Sequence, residues 1–163
     1  MILMNASFNV TLQKTKAMRT TDRISFQKQD IELVLKNKNK IRLWIVEAIK
    51  NEGKKTGDIT YIFCSDEYLL GMNQQYLHHD DFTDVITFDY TEKDRVSGDI
   101  FISVERILDN STQLKTDIDD ELHRVMIHGV MHLCGYKDKK PEERANMTKK
   151  ENQYLGLYLS LKE

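Results

Sequence analysis

The stretch from Asp117 to Asp138 constrains this chain more than any other. Ile118, Leu122, Val125, Met126, Val130 and Leu133 recur at three- and four-residue steps, the pattern of a helix with one face in a core. His128 and His132 lie four residues apart on its C-terminal half, so both imidazoles leave the same side about one turn apart. Gly135 follows as a residue able to take the positive φ that ends a helix and turns the chain back. That turn brings Asp138 within reach of the histidine pair. Two imidazole nitrogens, one carboxylate oxygen and a fourth position for water make a catalytic zinc ligand set, and the first expectation is a metal-dependent hydrolase.

The spacing follows the long zincin pattern H-E-x-x-H-x-x-G-x-x-H except at two positions, and both are informative. Gly129 stands where a metallopeptidase carries the Glu that takes a proton from metal-bound water, which argues against a zinc metallopeptidase. Asp138 stands where the third His would be. Its charge donates more to the metal than an imidazole does, and oxygen ligands leave manganese or iron as alternatives to zinc. His123 points to another side of the helix and reads as structural or solvated. Cys134 reads as a small packing residue, and Asp119, Asp120 and Glu121 read as favourable charges at the helix start.

The rest of the chain supplies a sheet and further helices. Ile24, Ser25 and Phe26 form a short strand candidate. Asp30 to Asn51 reads as a helix with a break at Asn37–Asn39 as the alternative, and Gly53 stops it. Asp58 to Cys64 predicts a central strand, and Ser65 caps the helix that continues to Tyr76. Asp84 to Asp89 and Gly98 to Ser103 predict an antiparallel pair, followed by a short helix from Val104. Pro141 opens a last helix running towards Gly156, with residues 157–161 as a tail. These elements predict an α+β fold, a small mixed sheet packed against helices with a zincin-like metal helix. Residues 1–22 read as a leader or weakly ordered segment and 23–163 as a single hydrolase domain.

With 40% apolar and 31% charged residues and no apolar run near the roughly 18 residues a membrane span needs, the expectation is a protein with no membrane association. The N-terminus lacks the basic start of a signal peptide, and two cysteines are too few for a disulfide framework, so the cytoplasm is the expected compartment. Charge is uneven: of 24 Lys/Arg and 26 Asp/Glu, residues 14–55 hold 12 and 5. A lysine-rich stretch is most often a solvated helix face, and nucleic acid is the functional alternative.

Three blocks together resemble the YbeY family of bacterial metal-dependent endoribonucleases. Asn73-Gln-Gln-Tyr76 and Thr83-Asp-Val-Ile-Thr-Phe88 are similar to the family's N-x-x-Y-R and T-D-V-L-S-F. Gly98-Asp-Ile-Phe-Ile102 is similar to its G-D-I strand, and His128 to Asp138 to its H-G-x-L-H-L-x-G-Y-D-H. The resemblance spans roughly Ile24 to Gly156. It implies an endoribonuclease of single-strand type that works on ribosomal RNA or a ribosomal subunit. Its role would be maturation of the small-subunit RNA 3′ end and ribosome quality control. It also implies one zinc ion on the residues matching His128, His132 and Asp138. Two positions depart from the family: Asp138 replaces its third His, and Leu77 replaces its Arg. His78, His79 or a lysine from the first half would have to supply the missing cation. No general base is evident in the motif. His78 and Asp84 are weak catalytic candidates, and Asp80, Asp81 and Asp84 read as turn and capping groups. A ribosome-associated RNA-binding factor with a structural metal is the non-enzymatic alternative.

Overall fold

The computed structural model describes residues 18–162. A 3₁₀ turn over Thr20–Arg23 leads into β1 (Ile24–Lys28), α1 (Lys38–Asn51), β2 (Lys55–Cys64) and α2 (Asp66–Met72), which runs on as a π-helical turn over Asn73–Leu77. Then follow β3 (Val85–Asp89), β4 (Arg95–Ser103), α3 (Val104–Leu114), α4 (Ile118–Leu133) and α5 (Pro141–Ser160). The expected leader falls mostly outside the described residues. Of its described end, the 3₁₀ turn is tied to the sheet by Arg23 Nη1 and Asp58 Oδ1 at 2.9 Å.

The four strands form one mixed sheet in the order β1-β2-β4-β3. β1 and β4 flank β2 in parallel, and β3 pairs antiparallel with β4 through Ile86↔Phe101 and Phe88↔Asp99. The α+β mixed sheet and the central place of β2 match the sequence reading. Val96, Ile100 and Ile102 of β4 alternate onto the face that holds the main core, against Trp44, Ile45 and Ile49 of α1 and Val125, Met126 and Val130 of α4. The other face carries a smaller cluster of Cys64, Leu69 and Ile86 beneath α2. Trp44 is fully buried and still satisfies its indole by donating from Nε1 to the Tyr154 carbonyl at 2.6 Å, which pins α1 to α5.

Three elements differ from expectation. The helix read from Asp30 begins only at Lys38, because Asp30 is held elsewhere. Its carboxylate accepts from the backbone N–H of Ser65 at 2.8 Å and from its hydroxyl at 2.5 Å, fixing the segment as an extended strap. Asn37 then sits in the left-handed region at φ 53°, where a helix cannot pass. Ile118 is 41% exposed and takes no place in the core face of α4. At the end of the chain α5 continues through Gly156 to Ser160, and the residues expected as a tail form its last turn. Tyr154 and Tyr158 supply the burial that a pattern interrupted by glycine concealed.

Candidate metal centre

Asp117 caps α4, its side chain accepting from the N–H of Asp119 at 2.8 Å, and the helix carries both histidines to its last two turns. Gly135 adopts φ 102°, and the chain turns back through bonds from Gly135 N to His132 O at 2.9 Å and Tyr136 N to Met131 O at 3.0 Å. Asp138 thereby reaches the histidine pair. His128 Nε2 and His132 Nε2 are 2.9 Å apart, and each lies 3.3 Å from Asp138 Oδ2. Among the described residues this is the one group of His, Cys, Asp or Glu close enough to hold an ion.

The tautomers follow from the partners. His132 Nδ1 meets the Tyr136 carbonyl at 2.9 Å, and a carbonyl only accepts, so Nδ1 carries the proton and Nε2 is bare. His128 Nδ1 meets Glu151 Oε1 at 2.6 Å, while Glu151 Oε2 accepts from Arg124 Nη1 at 3.0 Å. A carboxylate paired with arginine is an acceptor, so His128 also presents a bare Nε2. With both rings neutral, two lone pairs and a carboxylate oxygen face one another, a set of charges that a bound cation, or a proton on His128, would satisfy. Ligand atoms around a tetrahedral zinc with bonds of about 2.0–2.1 Å stand about 3.3 Å apart; both His–Asp138 separations match this, and the two Nε2 atoms at 2.9 Å stand closer. Carboxylate or carbonyl partners on the outer nitrogens are the usual support of histidine ligands.

The electrostatics agree. Burial alone would lower the pKa of His128, but the hydrogen bond and charge of Glu151 and the fields of Asp138 and Asp84 outweigh it and raise it. The surroundings thus favour positive charge at this point. Asp84 is half-buried, with its pKa raised by burial. Its Oδ2 accepts from Asn110 Nδ2 at 3.2 Å and its carbonyl from Ser103 N at 3.0 Å, so it staples the start of β3 to β4 and α3. That is the turn role read from sequence, with the addition that its charge is felt at His128.

His78 stands outside the cluster, exposed at φ 55° where the π-helical turn ends, and Leu77 beside it is 46% exposed. Glu121 lies in the first turn of α4 with Asp119 and Asp120, as read from sequence, and it is buried, its pKa raised mainly by burial. His123 packs between Trp44 and Tyr158, at ring distances of 5.7 and 4.2 Å, which bears out its structural reading. Cys134 is buried, and desolvation pushes its thiol to about 12, far from the thiolate that a metal would need. Gly129 faces the sheet: a Cβ there would stand 2.8 Å from Ile100 Cγ2, so α4 lies too close to β4 for the peptidase glutamate. Glu151 had no motif to announce it, since it joins the site across 23 residues from a helix of mixed composition.

The family model described as Endoribonuclease YbeY matches residues 23–158. The chain is 49% identical over 134 residues to the Endoribonuclease YbeY of Parabacteroides distasonis, covering 82% of this chain and 94% of that protein. It is 47% identical over 135 residues to that of Flavobacterium psychrophilum, covering 83% and 96%. The solution structure of TM1509 from Thermotoga maritima aligns with a TM-score of 0.60 at 25% identity, over 83% of this chain and 88% of that one. Matched by the family model over residues 23–158 and spanning nearly the whole length of these relatives, the chain belongs to the YbeY endoribonuclease family.

Proposed function

We propose that this protein is a metal-dependent endoribonuclease of the cytoplasm that cuts single-stranded RNA in ribosomal RNA maturation. The observation that carries the metal dependence is the meeting of His128 Nε2, His132 Nε2 and Asp138 Oδ2, three ligand atoms within 3.3 Å of one another. The RNA substrate rests on the family. These three atoms would hold a divalent ion, with zinc the first choice for two nitrogens and one oxygen. Such an ion supplies Lewis acidity at a phosphoryl oxygen and lowers the pKa of water.

The chain's own residues do the rest. Glu151 and the Tyr136 carbonyl hold both imidazoles in the tautomer that leaves Nε2 free. Asp138, 37% exposed, keeps one side of the site open to a phosphodiester, as a catalytic centre needs and a closed structural site does not. A cavity lined by Arg23, Lys50, Lys54, Lys55 and Arg95 beside Glu47, with Arg23 and Lys55 already paired to Asp58 and Asp94, is where the phosphate backbone would lie. A peptidase is disfavoured because Gly129 leaves no room for the general base of that chemistry.

The test is cleavage of a single-stranded RNA carrying the small-subunit 3′ end, with wild type, His128→Ala and chelated wild type side by side. Cleavage by the wild type alone is expected. Equal cleavage by folded His128→Ala, or metal-dependent turnover of a peptide in its place, would overturn the proposal.

A further inference from the structure

Glu52 ends α1, and its side chain, 8% exposed, turns inward. It accepts from Tyr136 OH at 2.6 Å, from Lys150 Nζ at 2.8 Å and from the Tyr154 hydroxyl, partners 84 to 102 residues away. Burial works against its charge, but the three donors outweigh it, so the carboxylate stays ionised. An ion pair partly withdrawn from water is a poor source of net stability compared with apolar packing. What it does provide is a fixed direction for each donor.

One of those donors leads to the metal centre. Tyr136, anchored through its hydroxyl, offers the carbonyl that accepts the Nδ1 proton of His132. Lys150, the residue beside Glu151 on α5, reaches this arm, while Glu151 itself grips His128. Each histidine is thus backed by a buried carboxylate: Glu151 on His128 directly, and Glu52 on His132 through one tyrosine. We propose that Glu52 is a positioning residue of the metal centre, holding Tyr136 so that its carbonyl keeps the bare Nε2 of His132 aimed at the ion.

The inference rests on the metal reading above, and its experiment separates the two. Zinc affinity is measured by competition with a chromophoric chelator for wild type, Glu52→Gln, Tyr136→Phe and the double variant, beside the melting temperature of each zinc-free protein. Disrupting support behind a ligating histidine weakens binding about 10–100-fold, and this more distant support should act near the lower end, about tenfold for each single variant. Because both residues belong to one chain of contacts, the double variant should bind no more weakly than the worse single. A merely structural role would lower the melting temperature and leave the affinity of the folded protein unchanged, which overturns the inference. Tyr136→Phe, which keeps the ring, decides the matter if Glu52→Gln does not fold. A wild type that binds no zinc overturns the metal reading and this inference with it, whereas wild-type binding matched by both variants overturns this inference alone.

Discussion

His128 Nε2 and His132 Nε2 lie 2.9 Å apart, and the outer nitrogen of each ring is committed to an acceptor of its own. Between two neutral rings the facing lone pairs repel, and a bound ion relieves that repulsion. Zinc should therefore bind the folded protein in preference to the unfolded chain and stabilise it, by about 2.7 kcal/mol at a hundred times its Kd. A scanning calorimeter should record a higher Tm with zinc and the lower value after chelation. His128→Ala should melt at one temperature with or without the ion.

Glu151 determines which nitrogen of His128 is protonated, and Arg124 holds Glu151 through its other carboxylate oxygen. Glu151→Ala should weaken zinc binding about 10–100-fold while circular dichroism keeps the wild-type helix signal. An unchanged affinity would mean that His128 finds its orientation without this partner.

Gly129 is needed for packing rather than for backbone freedom. Gly129→Ala gains about 1 kcal/mol of helix propensity but drives a methyl to 2.8 Å from Ile100 Cγ2 in the core. Overpacking of this kind costs about 1–3 kcal/mol, so urea denaturation should show a net loss. A gain would show that β4 yields to α4 more easily than the close contact implies.

His123 should make stability depend on pH. Desolvation by burial lowers its pKa from the ordinary 6.5, against the opposing fields of Asp119 and Asp120. The unfolded chain therefore takes up a proton more readily than the folded one. The stability this group confers is fully present above pH 6.5 and is lost as pH falls through the depressed folded value. His123→Phe, which keeps an aromatic ring between Trp44 and Tyr158, should show a smaller drop in Tm between pH 7.5 and the acidic side of that window.

The main features of the site were legible in the sequence because they are local. Helical spacing put His128 and His132 on one side, and Gly135 announced the turn that its φ of 102° makes. β2, β3 and β4 were legible for the same reason, as β-branched and aromatic runs between breakers. What the sequence concealed is held by long-range contacts. Asp30 reads as the start of a helix until Ser65, 35 residues on, captures its carboxylate. Glu121 reads as a favourable charge at the start of α4, and its burial is not visible from that position. Glu52 and Glu151 look like any acidic residues of a helix, and their roles exist only once α1, α5 and the Tyr136 turn meet.

The metal centre depends most on Asp138 completing the set begun by the histidines. Metal content per chain, measured on purified wild type beside Asp138→Ala, tests it directly. The expected result is one tightly held divalent ion in the wild type and little in the variant, with both proteins folded. Equal metal in the two, or none in the wild type, would contradict it.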